Sequence, residues 1–321
     1  MALSRYVVGV DGGNTKTDVV VADCRGRMIG QFRGGSTDIY SGTDAALAEL
    51  ERVVRAALAL AEVAPENCGA AVFSLAGADW PEDHQYLGDY LRKNVNLGTD
   101  PIVVNDSIGA LRMATSRWEG VSIVCGTGNA VGARRADGKA FHLGFWPDPV
   151  GSVALGQAAL DAVTRAHIDM GPQTSLTARA KALYGLGEVE ELVYFFTRRN
   201  GAGRSDLVKM IGPLFEEANL GDGVARCLVV EAGRTLGRQA RAAAQRIGLG
   251  LVGTPALMAG GMFRVPSDLL EISTMEQLPE AKGMRLMMPP VVGAVLAALD
   301  QIGVEVEASS VADTLAPNPE G

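Results

Sequence analysis

The sequence predicts an α/β protein built from two units, each a sheet covered by helices, and three observations predict it. Valine-rich apolar runs end in glycine turns and alternate with longer amphipathic stretches, the pattern of strands leading into helices. At 321 residues with 47% hydrophobic side chains, the chain is too long for one small core and apolar enough for two. A glycine-turn hairpin near the start also returns later: with Val10 set on Val124, a spacing of 114 residues, Asp23 falls on Asp137, each expected to end the second strand of its hairpin.

The first element is the hairpin over residues 6–23. Val7, Val8 and Val10 lead in and Val19, Val20 and Val21 lead out, so strands are favoured over helix. Between them, Gly12 and Gly13 leave successive backbone N–H groups free to surround an anion, with Asn14, Thr15, Lys16 and Thr17 beside them. Asp11, at the strand end, is placed to hold a magnesium ion directly or through water. An ordinary glycine-rich hairpin is the alternative reading of the same residues. A third strand over 27–32 and a loop containing Asp38 precede a helix over 43–64, where Leu47, Leu50, Val54, Leu58 and Ala61 recur at helical spacing. A strand over 67–74 runs into the Gly77-Ala78-Asp79 turn and a helix over 82–96. A strand over 101–104 is followed at once by Asn105-Asp106-Ser107 and another helix. Taken by itself, Asp106 reads as a helix cap or as an acid at a strand end.

The second hairpin spans 121–131 and carries Cys125 where the first carries Asp11, so the copies divide their roles. From 150 to 248 the chain reads as largely helical, with helices over 174–183, 188–197, 205–217 and 223–247. Arg226, Arg234, Arg238, Arg241 and Arg246 on the last are either a phosphate-binding face or solvated charge beside an apolar stripe. A strand over 254–259 leads into a third glycine turn, Gly260-Gly261. After 286–288, Pro289 and Pro290 begin an apolar helix to 302, and the Ser-, Pro- and Asp-rich tail from 305 is expected to be flexible.

Composition narrows the partners. The chain has 29 basic against 37 acidic side chains, a net charge of −8, which argues against nucleic acid or an anionic membrane as the main partner and leaves a small ligand bound locally. There is no basic-then-apolar leader and no apolar run of bilayer length, so a cytoplasmic location is expected. Cys24, Cys68, Cys125 and Cys227 are far apart, as are His84, His142 and His167, which suggests neither a disulfide framework nor a zinc site.

In chain order, the sequence presents Gly9-Val10-Asp11-Gly12-Gly13-Asn14-Thr15-Lys16-Thr17, Ser74-Leu75-Ala76-Gly77-Ala78-Asp79 and Asn105-Asp106-Ser107. Cys125-Gly126-Thr127-Gly128-Asn129, Met258-Ala259-Gly260-Gly261 and Pro290-Val291-Val292-Gly293-Ala294 complete the series. Over residues 5–300 this order resembles the superfamily of actin, heat-shock ATPases and sugar kinases, and within it the BadF/BadG/BcrA/BcrD ATPase family and its N-acetylglucosamine kinase branch. The resemblance implies two actin-like (ribonuclease H-like) domains, residues 1–117 and 118–303, with a helical insertion in the second and a nucleotide cleft between them. The final helix is expected to pack back toward the first domain.

The resemblance also implies roles. Asp11 would be the magnesium-side acid, and Gly12 to Thr17 and Gly126, Thr127, Gly128 and Asn129 would hold the ATP phosphates from two sides. Gly260 and Gly261 would make room for adenosine, and Asp106 would be the base that takes the proton of the attacking hydroxyl. The sugar would meet Asp38, Gly77, Asp79, Asp106, Trp146 and Asp148. At two places this sequence departs from the kinase branch: Asp38 stands where that branch has Asn, and Asp148-Pro149-Val150-Gly151-Ser152 replaces a Gly-Asp-Glu-Gly-Ser segment whose acids bind sugar hydroxyls. The implied activity is phosphoryl transfer from ATP to a hydroxyl of an amino sugar, N-acetylglucosamine or glucosamine, by a homodimer. The alternatives are an ATP-driven activator carrying an iron–sulfur cluster between subunits, and a sugar-sensing or orphan ATPase with a different acceptor.

Overall fold

The structure, a computed structural model, describes residues 5–144 and 149–315. Its frame is two five-stranded sheets of the same topology. In the first, β1 (Tyr6–Gly12), β2 (Thr17–Asp23) and β3 (Met28–Gly34) form an antiparallel meander. Helix α1 (Thr43–Leu60) then leads to β4 (Cys68–Leu75), and α2 (Pro81–Asn94) to β5 (Pro101–Asn105), giving the order β3-β2-β1-β4-β5. Helix α3 (Asp106–Leu111) begins at the residue after β5, so no loop separates strand from helix.

The second sheet repeats the plan with β6 (Gly120–Cys125), β7 (Asn129–Arg134) and β8 (Ala140–Leu143) as its meander. Before its fourth strand the chain inserts a helical block: α4 (Ser152–His167), α5 (Leu176–Tyr184), α6 (Val189–Thr197), α7 (Arg204–Val208), α8 (Ile211–Leu220) and α9 (Gly223–Ile247). Strand β9 (Pro255–Ala259), helix α10 (Leu269–Met275) and strand β10 (Lys282–Arg285) complete the order β10-β9-β6-β7-β8. Helices α11 (Val291–Gln301) and α12 (Ala308–Ala312) end the described chain.

The pairing corrects one detail of the repeat. Tyr6 pairs with Asp23 and Gly120 with Arg134, so Asp23 corresponds to Arg134, and Asp137 sits in the turn beyond β7, where its side chain accepts from the Lys139 N–H. The first strands keep the 114-residue spacing, but the second hairpin closes with a tighter turn. Other departures are local. The expected helix over 205–217 is broken into α7 and α8, and Lys282–Arg285 form a further strand, pairing with β9. The tail expected to be flexible from 305 carries α12, whose Val311 is fully buried, and Thr314 Oγ1 accepts from the Met28 N–H at 3.0 Å.

Three cores hold these layers. One joins the outer face of the first sheet to α1 and α2, and another joins the second sheet to the helical block. The third lies between the sheets, where Val7, Val20, Ala22, Ala70 and Val72 meet Leu257, Ala259, α3 and α11, which is apolar from Val291 to Leu299. There α11 approaches β1 so closely that a Cβ on Gly9 would lie 2.6 Å from Val295, and Arg112, just past the end of α3, binds Asp300 of α11 through two contacts of 2.6 and 2.9 Å. The middle layer thus ties both sheets together and points the carboxyl ends of β1, β5, β6 and β9 at one cleft. Among the described residues, no helix is long and apolar enough to cross a membrane.

Candidate active site

The cleft is a cavity of about 520 Å³ whose wall includes Asp11, Gly13 to Lys16, Asp106, Gly126 to Asn129, and Gly260 with Gly261. The β1–β2 turn is closed by a 2.9 Å bond from the Gly13 N–H to the Lys16 carbonyl, and the β6–β7 turn by a 2.8 Å bond from the Gly126 N–H to the Gly128 carbonyl. They face each other, with Thr15 Oγ1 3.4 Å from Thr127 Oγ1. Not every expected phosphate ligand points inward. Thr17 is buried behind its turn, bonded to the Gly35 carbonyl at 2.8 Å and to Thr37 Oγ1 at 2.9 Å, and buried Gly12 packs against Thr37 and Leu75. Asn129 contributes backbone to the wall, while its amide bonds Gln239 of α9 and its carbonyl oxygen accepts from the Val150 N–H.

The second turn is also gripped by the start of α4, through bonds from the Ser152 N–H to the Gly126 carbonyl and from the Val153 N–H to the Thr127 carbonyl. Gly151 has φ 132°, and a Cβ there would lie 2.6 Å from Gly128 Cα, so only glycine lets the helix arrive so close. Gly151 and Ser152, which follow the acceptor candidate Asp148 in the chain, thus brace a glycine turn. Gly260, at φ 98°, would drive a Cβ to 2.3 Å from the Cys125 carbonyl oxygen. The chain beyond it adds Met262, Arg264 and Val265 to the cleft wall, opposite Val208 and Ile211 of the helical block. Those residues lay outside the sequence reading, because side chains from α7 and α8 reach the cleft only through tertiary packing.

Asp106 occupies the first position of α3, where its Oδ1 accepts from the Ser107 N–H at 2.8 Å. The N-cap is Asn105, which accepts from the same N–H at 3.1 Å and from the Ser107 hydroxyl at 2.6 Å. The helix-start bond is thus shared with Asn105, and Asp106 also lines the cleft. Enclosure raises its pKa to about 6, against the lowering effect of the Ser107 N–H, and Asp38 raises it further. Across the cleft, enclosure together with the charges of Asp106 and Asp18 raises Asp11 to about 8, although Lys16 and Arg33 oppose this. Two acids that repel each other at one cleft define a place where cationic charge is missing.

Asp79 stands on the acceptor side, raised to about 7 by burial and by Asp106, Asp83 and Asp38. Asn105 links it to the base of α3, donating to Asp79 Oδ1 at 3.1 Å. Asp38 is 8% exposed and caps the short 3-10 turn Ile39–Ser41, accepting from the Tyr40 N–H and the Ser41 hydroxyl. Gly77 fits against this turn, where a Cβ would meet Ile39 at 2.8 Å and Asp38 Oδ1 at 3.2 Å. Asp38, Gly77, Asp79 and Asp106 are thus brought together. Trp146 and Asp148 lie outside the described residues. The arginines of α9 line no part of the cleft: Arg234 and Arg241 pair with Glu276 and Glu280, and Arg238 with Glu231.

Duplicated sheets, joined through a shared helical layer and closing on a cleft walled by one glycine turn from each, define the actin-like ATPase and sugar-kinase architecture. The chain belongs to the BadF/BadG/BcrA/BcrD ATPase family, whose sequence profile matches residues 8–299. It is 26% identical over 310 residues to an N-acetyl-D-glucosamine kinase of Dictyostelium discoideum, covering 91% of this chain and 97% of that protein. An N-acetylmuramic acid/N-acetylglucosamine kinase of Clostridium acetobutylicum is 26% identical over 237 residues, 72% of this chain and 77% of that protein. A solved ROK-family glucokinase from Streptomyces griseus, in complex with glucose and AMPPNP, superposes with a TM-score of 0.58 at 20% identity, covering 91% of this chain and 98% of that one.

Proposed function

We propose that the protein is an ATP-dependent kinase that transfers the γ-phosphoryl group to a hydroxyl of an amino sugar, N-acetylglucosamine or glucosamine. Residues 1–117 and 118–303 are the two units that close on the substrates. One observation carries the reading: Asp106, while its Oδ1 accepts from the Ser107 N–H, lines the same cleft as both glycine turns. A carboxylate with a pKa of about 6 is charged at neutral pH and still basic enough to take a proton as a bond forms.

In this mechanism the β1–β2 and β6–β7 turns orient the triphosphate, and Asp106 accepts the proton of the attacking hydroxyl. The new oxygen–phosphorus bond forms as the bond to the β–γ bridging oxygen breaks, leaving ADP. The Gly260-Gly261 turn, with Met262, Val265 and Ile211, offers an apolar slot for the base. Asp38, Gly77 and Asp79 hold the sugar, with Trp146 and Asp148 as further acceptor residues; Asp79, protonated half the time near pH 7, can donate as well as accept.

The donor set fits a magnesium ion held by the nucleotide rather than by a protein cage. Asp11 is its carboxylate on this chain, and among the described residues no group of three ligating side chains stands ready for a metal. When bound, the ion supplies the positive charge that the cleft acids and phosphates lack. A cytoplasmic homodimer completes the reading, on the resemblance to kinases. The decisive experiment measures ADP release over a panel of amino sugars, sugars and polyols. Release stimulated by an amino sugar is expected, and no stimulation by any acceptor would sink the proposal.

A further inference from the structure

A second and larger cavity, about 810 Å³, lies on the far side of Asp79 from the nucleotide cleft. It is walled by the free edges of both sheets, β5 from the first and β8 from the second, with Ile108 of α3 and the residues at the start of α2 between them. The wall is mainly apolar, including Ile102, Val104, Ile108, Trp118 and Phe141. Asp79 and Asn105 also border it, but the nucleotide and acceptor chemistry described above uses none of these apolar side chains. A cavity of this size and lining is in the range that holds small ligands.

Two polar groups in its wall lack what they would normally have. His142 Nδ1 is buried without a hydrogen-bond partner, 3.5 Å from Asp79 Oδ1, and burial lowers the histidine to about 4, leaving it neutral. Arg134 lies with its guanidinium 4.4 Å from the Trp118 ring centroid and donates to the Trp118 carbonyl at 2.7 Å. Among the described residues no carboxylate contacts it; Asp137 acts on it only at longer range, and burial outweighs that charge. Because Gly132 pairs with His142 and Arg134 with Ala140, the two polar groups share one face of the β7–β8 hairpin, about 7 Å apart along the strand. A partly desolvated cation with no carboxylate in contact, at one end of an apolar cavity, is electrostatically complementary to an anion with an apolar body.

We infer that this cavity is a second ligand site, taking a small carboxylate with an apolar body. The carboxylate sits on Arg134, the body lies along Ile102, Val104 and Ile108, and any hydrogen-bond donor at its far end meets His142 Nδ1. Since the two sheets each supply a wall, an occupant bridges the two halves of the molecule and favours their closed arrangement. This goes beyond the kinase reading and does not depend on it.

The test reads binding without turnover. With the intact chain, 8-anilinonaphthalene-1-sulfonate, an aromatic anion, is titrated as a fluorescent probe, octanoate is used to displace it, and Mg-ATP serves as a control that should not displace it. One saturable site is expected, with at least a tenfold loss of affinity in Arg134→Gln and partial rescue in Arg134→Lys. Ala140→Trp, which fills the cavity from an exposed position on β8, should also abolish it. A wild-type measurement stands beside the variants: octanoate should slow amide exchange over both 101–105 and 140–144. Absence of octanoate-displaceable binding, affinity unchanged by Arg134→Gln and Ala140→Trp, or exchange unaltered in those segments would each overturn the inference.

Discussion

At the scale of single residues, three acids in one region sit above their ordinary pKa values: Asp106 at about 6, Asp79 at about 7 and Asp11 at about 8. Each therefore binds its proton more tightly in the folded state. Their contribution to stability is full below the unfolded carboxylate value near 4 and is lost as pH rises through each folded value. Asp11→Asn should accordingly raise the melting temperature of the ligand-free protein at pH 8 relative to wild type while leaving it nearly unchanged at pH 4. The gain should be at least about 1.4 kcal/mol, the equivalent of one pKa unit. Thermal melts at the two pH values check this, and an equal effect at both would contradict it. The same substitution should weaken the magnesium dependence of nucleotide binding. For Asp106, kcat/KM should climb as pH rises through about 6 and then level off. Asp106→Asn should lower kcat by roughly 10² to 10⁴, remove that rising limb and leave ATP affinity nearly intact. Retained turnover would remove Asp106 from the role of base.

At the scale of elements, the glycine turns are held in shape by backbone that side chains would obstruct. Gly260→Ala combines a φ of 98° with a Cβ 2.3 Å from the Cys125 carbonyl oxygen. It should cost about 1 to 3 kcal/mol of stability and raise KM for ATP, measured by steady-state kinetics and thermal melts. An Ala variant with wild-type KM would show that the turn does not position nucleotide. Much of this site is legible in the sequence because strand–turn units are local: Asp11, Lys16, Gly126 and Gly260 sit at strand ends fixed by valine runs and glycines. What escapes is what tertiary packing decides. Thr17 reads as a donor, yet the loop after β3 folds back and takes its hydroxyl. Asn129 reads as a phosphate ligand, yet α9, more than 100 residues on, supplies Gln239 to bind its amide. The matching of Asp23 with Asp137 failed because identical residues attract an alignment, whereas the ladder counts hydrogen bonds, and the second turn is the tighter one.

At the scale of the whole molecule, the same plan built twice leaves each sheet with one face that its own helices cover and one that only the shared layer covers. The ion pair between Arg112 and Asp300 sits in that layer, so Arg112→Met should lower the melting temperature while leaving KM for ATP unchanged, since neither residue lines the cleft. Calorimetry with steady-state kinetics checks it, and a raised KM would mean that the layer also shapes the site. The placement of α11 sets a schedule for biosynthesis. Val7, Val20, Ala70 and Val72 are complete strand residues early in translation, but the helix that covers them starts only at Val291. At ordinary elongation rates that interval lasts roughly ten to forty seconds, during which the first sheet shows a bare valine face on the ribosome. A chain ending at residue 290 should leave that face bare for good and be recovered in the insoluble fraction, whereas one ending at residue 315 should stay soluble.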